Sequence, residues 1–248
     1  MSALPSSGNC LPLPAKLSGK PLTQRSSSSM KSKTIGARED PHLPRHLPHA
    51  GSLRLMDYVE IHSVEAADIT VPTHSVQGVI FEQARVHHAS FASGRLATLR
   101  ASDCRFEKCD FTAAEWTEAH LLRVDFASCR MLGMQWVTLE ARDVLFADCS
   151  CEGEFFVSAR MPGARLERCV LRRASFEGAD LTGAQFRECD LSEADLRGAV
   201  LAQADLRGCN INGMKIGARD LMGAILDPAQ ARQVTGLLGI VVKDISET

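Results

Sequence analysis

Residues 174–206 read ASFEG ADLTG AQFRE CDLSE ADLRG AVLAQ ADL, and the order of side-chain sizes in this stretch decides the fold. A small residue, a usually polar one and then Leu or Phe recur every five positions. The large apolar centres are Phe176, Leu181, Phe186, Leu191, Leu196, Leu201 and Leu206. Two places before them stand Ala174, Ala179, Ala184, Cys189, Ala194, Ala199 and Ala204. A period of five fits neither a helix face nor simple strand alternation, so it specifies a repeat architecture. Within each unit the small and centre residues point inward and the residue between them points outward, as in a short extended segment. The remaining two residues, often polar or Gly, turn a corner.

The same phase runs outward in both directions. It gives Ile211, Ile216, Leu221 and Leu226 toward the C-terminus, and Leu171, Phe156, Phe146, Trp136, Phe126, Trp116, Phe106 and Phe91 among the centres back to Val76. From Val76 to Leu226 there are 31 units without an insertion. Only Ala101, Ala141 and Cys151 are small at a centre, and Met56, Ile61, Ala66 and Val71 continue the phase more weakly.

The copies ADLTG, ADLRG and ADLRG resemble the pentapeptide-repeat family, whose pattern is Ala-(Asp/Asn)-Leu-x-x. The resemblance implies an all-β fold: a right-handed quadrilateral parallel β-helix, or pentapeptide-repeat solenoid, with four units per coil and a short C-terminal capping helix. Cys109, Cys129, Cys149, Cys169, Cys189 and Cys209 recur at every fourth unit, always at the small inward position, so one cysteine per coil lines up in an internal column. Coils stack about 4.8 Å apart, which is within disulfide range, but parallel inward Cβ vectors give poor disulfide geometry. A linear column does not converge tetrahedrally on zinc either. These cysteines read as small core residues of a reducing cytoplasm.

The chain divides into a leader (1–52), an N-terminal cap or opening coil (53–75), the β-helix (76–226) and a C-terminal capping or dimerisation helix with its tail (227–248). The leader holds seven of the ten prolines, a Ser26–Ser29 run and few large apolar residues, and is expected to be disordered. Its basic, acid-poor start is open to four readings: a solvated linker, a mis-assigned start, a secretion signal or a transit peptide. His42, His46 and His49 cluster there and read as solvated. In the middle, Met134, Leu139 and Val144 put large residues at small positions. Glu154 takes an inward position and Phe155 an outward one, so either the wall is distorted there or Glu154 escapes to solvent. The segment from Cys129 to Trp136 is similar to one midway along loop-free members of the family.

Asp227 followed by Pro228 is a helix start, an N-cap before Pro at the first helical position. The gyrase-binding members of the family end in a similar Leu-Asp-x-x-Gln-Ala…Leu-Gly-Ile segment that caps the last coil and pairs two chains tail to tail. That resemblance nominates Pro228, Ala231, Val234, Leu237, Leu238, Ile240 and Val241 as a homodimer interface. It also implies a partner, DNA gyrase or topoisomerase IV, bound by mimicry of duplex DNA and thereby protected from quinolones or toxins. The candidate acidic surface is Asp180, Asp190, Asp195, Asp205 and Asp220. Charge qualifies this expectation. The chain is net −2, and residues 176–248 hold 11 acidic against 7 basic residues, whereas duplex DNA as long as seven to eight coils carries roughly 21 charges.

No nucleophile–base pair, phosphate loop, zinc signature or apolar run long enough for a membrane span is present. His87, His88 and His120 read as lone surface histidines. The sequence therefore points to a non-catalytic, cofactor-free, cytoplasmic protein that binds neither nucleic acid directly nor membrane. The alternative is a rigid interaction scaffold or a secreted effector that uses the leader.

Overall fold

A computed structural model describes residues 38–153 and 156–241. Residues 1–37, most of the expected leader, Glu154 and Phe155, and the expected tail at 242–248 lie outside the described residues. The chain winds into a parallel β-solenoid of about seven turns, in which the strands from Glu60 onward pair with their counterparts four units later. Arg100–Glu107 pairs with Glu115–Ala127, which pairs with Gln135–Ala147, and the register continues through Arg165–Glu167 and Gln185–Arg187. Isolated bridges carry the same spacing on to Asp205 and Ile225.

Every centre from Val76 to Ile216 is buried, and so are the small positions described between them. Leu221 and Leu226 are half-buried and pack against the end of the core. Aromatic rings lie directly above one another: Phe106, Phe126 and Phe146 stack at 5.2 and 5.0 Å, Phe91 on Phe111 at 4.9 Å, and Phe156 on Phe176 at 5.0 Å. Full burial of one such side chain contributes about 1.5–3 kcal/mol, so a continuous apolar axis holds the coils together. The indole N–H groups of Trp116 and Trp136 are buried without an acceptor.

From Val76 to Ile211 the residue two places after each centre turns the corner in the left-handed region, as at Asp103 (φ 53°), Arg123 (φ 53°) and Gly178 (φ 67°). Non-glycine residues accept this cost because inter-coil hydrogen bonds fix the corner. Ser93 N–H donates to Thr112 O and Ala113 N–H to Leu132 O, each at 2.8 Å. At Gly78 (φ 68°) the corner is also crowded, since a Cβ would lie 2.5 Å from the ring of Tyr58, which would have to swing aside.

Met134, Leu139 and Val144 are all buried, so the large-for-small exchanges are absorbed inside the barrel. They sit in Gln135–Ala147 or next to it; with Glu115–Ala127 this is one of the two longest strands, each running through a corner. The six column cysteines are buried and free, as are Cys104 and Cys151. Each column thiol from Cys129 to Cys189 bonds a carbonyl of the coil before, for example Cys129 Sγ to Phe106 O at 3.4 Å. Contact with the neighbouring thiol, then burial, pushes Cys129, Cys149, Cys169 and Cys189 up to about 12. Such thiols stay protonated and unreactive.

Two expectations for the N-terminal end are corrected. The phase does not pass through Met56, which is exposed; Leu55 is buried instead. The cause is a shortened first turn. His49–Ala50 pairs with Glu65–Ala66 and Leu53–Arg54 with Ile69–Thr70, an offset of 16 in place of the full coil repeat. The leader also does not extend as loose chain to residue 52. Residues 38–50 lie along the outside of the solenoid, and their last two join its sheet.

Candidate functional site

Three features of the surface could engage a partner: the C-terminal end, the outward aspartates and the N-terminal strap. The C-terminal helix spans Pro228–Leu237. Asp227 accepts hydrogen bonds from the backbone N–H groups of Ala229 and Gln230, and the Gln230 side chain accepts from Asp227 N–H, so the cap is reciprocal. These donors, with Gly208 N–H, hold the Asp227 carboxyl below its usual range.

Gln230 also turns its amide into the barrel, donating to Leu206 O at 2.7 Å and Cys209 O at 2.9 Å. A helix cannot continue a β ladder, but this one glutamine supplies donors where a further coil would have stood. Gln230→Ala is expected to cost about 1–3 kcal/mol, the usual penalty for an unsatisfied buried polar group, read as a lower guanidinium midpoint.

The nominated interface residues divide between two jobs. Val234 is buried against the last coil and belongs to the cap, so it is not free to face a second chain. Pro228 and Ala231 are exposed, and Leu237 and Leu238 half-buried. Ile240 and Val241 are 54% and 78% exposed, and at the same end of the barrel Met222 and Ile225 are 72% and 42% exposed. Single exposed apolar residues need no explanation; these four all lie in the C-terminal stretch 222–241.

The five candidate aspartates are not brought together. With four units per coil, only Asp180 and Asp220 share a face; Asp190, Asp195 and Asp205 lie on the other three. Each is also engaged locally. Arg197 and Arg207 reach back two residues to Asp195 and Asp205, at 2.6 and 2.7 Å, and hold both carboxyls below their usual range. Asp190 accepts from Asn210 and Ser192, Asp180 from Thr182, and Asp220 from Gly217 N–H. The expected acidic surface is therefore four separate, partly neutralised positions.

Side chains one full coil apart sit one above the other and form the pairs that spacing along the chain hides. Arg123 grips Asp103 with two bonds at 2.6 and 2.7 Å, Arg168 grips Asp148 at 2.7 and 2.9 Å, and Arg173 meets Glu193 at 2.9 Å. The exposed pairs contribute little to stability. Asp103 differs, because it also receives the backbone N–H of His42.

The histidines offer no metal site: His87 approaches Glu65 at 3.5 Å and His120 approaches Glu140 at 3.5 Å. No group of three or more potential metal ligands occurs among the described residues. An open depression lined by Val157, Ser158, Glu177, Gly178, Arg197 and Gly198 lies on the surface, and it gathers none of the pairs that acid–base or nucleophilic chemistry needs. No described helix is long and apolar enough to cross a membrane.

Two family models match the chain: the pentapeptide repeat region over residues 99–176 and pentapeptide repeats, in eight copies, over residues 184–216. Residues 99–176 and 184–216 are pentapeptide-repeat segments. Both matches fall on the coil register described above, and no enzyme family is indicated. A comparison with curated proteins returns no match. Among solved structures, the chain is similar to full-length QnrB1, a plasmid-mediated fluoroquinolone resistance protein, at 18% identity and a TM-score of 0.35, covering 78% of this chain and 100% of that one. It is also similar to HetL from the cyanobacterium Nostoc sp. strain PCC 7120, a pentapeptide-repeat protein involved in heterocyst differentiation regulation. There the identity is 18%, the TM-score 0.33, and the coverage 71% of this chain and 87% of that one.

Sequence reasoning misses the strap and does not single out Arg38, Asp103, Asp125 and Asp143, which anchor it. The available signal is Asp103, Arg123 and Asp143 recurring once per coil with alternating sign.

Proposed function

We propose that this pentapeptide-repeat protein is a non-catalytic, rigid protein-binding scaffold that works as a homodimer joined through its C-terminal end. The observation that carries the proposal is the exposed apolar end formed by Met222, Ile225, Ile240 and Val241 beside a helix whose own buried face is used up in capping. A second chain covering that end removes these side chains from water and doubles the length of the presented faces. We place this activity in the cytoplasm, where a column of closely stacked thiols stays reduced.

The terminal segment's resemblance to gyrase-binding members nominates gyrase or topoisomerase IV as the partner, with protection from quinolones as the outcome. The layout of charge narrows how such binding could work. With the five aspartates divided among four faces and held by arginines and amides, shape and the flat faces must carry recognition, not one acidic stripe.

The test is gyrase supercoiling with purified protein titrated in, with and without a quinolone, beside the double variant Ile240→Asp/Val241→Asp. Inhibition or drug protection at micromolar or lower concentration is expected for the wild type. The variant is expected to sediment as a monomer and to lose at least tenfold in potency. A wild-type dimer without effect on the enzyme removes gyrase as the partner and leaves the scaffold; a wild-type monomer removes the dimer.

A further inference from the structure

The strap occupies a built surface. Arg38 pairs with Asp125 and Asp40, and its side chain is only 3% exposed. Glu39 N–H donates to Asp143 Oδ1 at 3.2 Å, and its carboxylate lies 3.9 Å from Arg123. His42 N–H donates to Asp103 Oδ1 at 2.9 Å, while Gln83 Nε2 donates to His42 O at 3.5 Å. Four consecutive coils thus each contribute one group along one corner of the solenoid: Gln83, Asp103, Arg123 and Asp143.

The spacing explains why an extended chain fits there. Asp103 and Asp143 are two coils apart, about 9.6 Å, and three residues of extended chain, the step from Glu39 to His42, cover about 10 Å. Pro41, Pro44 and Pro48 bias the segment toward extended conformations before it docks, which lowers the entropy lost on binding. The backbone N–H groups thereby meet acceptors at the pitch of the rod. Asp125 and Arg123 add charge selection, reading a cation at the first residue and an acid at the second.

We infer that this corner is a peptide-docking groove for an extended segment opening with arginine and an acidic residue, and that residues 38–42 fill it in cis. An incoming segment of that chemistry, carried by a partner protein, competes with the strap for the same four coils. The strap is tethered beside its site, and tethering of this kind gives an effective concentration in the millimolar range. It therefore sets a threshold that a partner has to exceed.

The experiment uses the full chain and a fluorescent synthetic peptide of residues 36–48. Arg38→Glu in the protein places a carboxylate against Asp125 and is expected to release the strap, seen as faster hydrogen exchange at the Glu39 and His42 amides with the barrel amides unchanged. The peptide is expected to bind this variant at least tenfold more tightly than the wild type. Adding Asp125→Ala to the variant is expected to abolish that gain, with circular dichroism confirming the β-helix. Peptide binding that is equal in wild type and variant, or unaffected by Asp125→Ala, overturns the inference. So does rapid exchange of the Glu39 and His42 amides in the wild type.

Discussion

Replacing Phe126 with alanine is expected to lower stability by about 3–5 kcal/mol, the range for removing a buried Phe. The ring is fully buried and sits midway in the column formed with Phe106 and Phe146, at 5.2 and 5.0 Å. It also meets Phe111 edge-on at 5.8 Å and Trp136 at 6.0 Å. Neighbouring coils cannot close over the void, because their separation is fixed by the inter-coil hydrogen bonds. A solenoid gains its stability from interfaces between adjacent repeats, so a single cavity here weakens the interfaces on both sides. Guanidinium unfolding followed by the fluorescence of Trp116 and Trp136 should show a lower midpoint than far-ultraviolet circular dichroism of the whole barrel. Coincident transitions, shifted by less than about 1 kcal/mol, would show that the column is not the element that couples the coils.

The parts legible from residues alone are those that the interior dictates. The centres, the small positions and the cysteine column all face one axis, and size at fixed spacing is enough to place them. The C-terminal cap is legible for a different reason: Asp227-Pro228 is a local signal that needs no tertiary context. What escapes is geometry across the surface. Assigning Asp180, Asp190, Asp195, Asp205 and Asp220 to one patch overlooks that steps of one, two or three units change face, while steps of four and eight units return to it. The strap is hidden by composition, since Pro41, Pro44 and Pro48 in a polar segment describe a disordered chain and a docked extended chain equally well. Only the acceptors at Asp103 and Asp143 separate the two, and they lie 61 residues from His42 and 104 from Glu39 along the chain. The shortened first turn is likewise invisible, because Met56 and Leu55 are both apolar and only the offset of His49 from Glu65 chooses between them.

Deleting the single residue Ser192 is expected to be more damaging than inserting a whole coil. Ser192 lies at a corner between Leu191 and Leu196. Its loss moves Leu196, Leu201, Leu206, Ile211 and Ile216 one place out of phase and turns each from the core toward solvent. At about 1.5–3 kcal/mol per side chain, five of them represent roughly 7–15 kcal/mol, comparable with the whole stability of an ordinary domain. The cap would lose its seat as well, because Gln230 finds its acceptors on Leu206 and Cys209. Duplicating residues 177–196 instead adds one complete coil, keeps every later residue in phase and lengthens the barrel by about 4.8 Å. The duplicated protein should fold with unchanged cooperativity and retain the docked helix, as judged by hydrogen exchange at the amides of the C-terminal helix. The deleted one should lose protection throughout residues 193–241 or aggregate. Survival of the deletion with normal protection would mean that a corner can absorb a missing residue, and the unbroken run of 31 units would then owe nothing to packing.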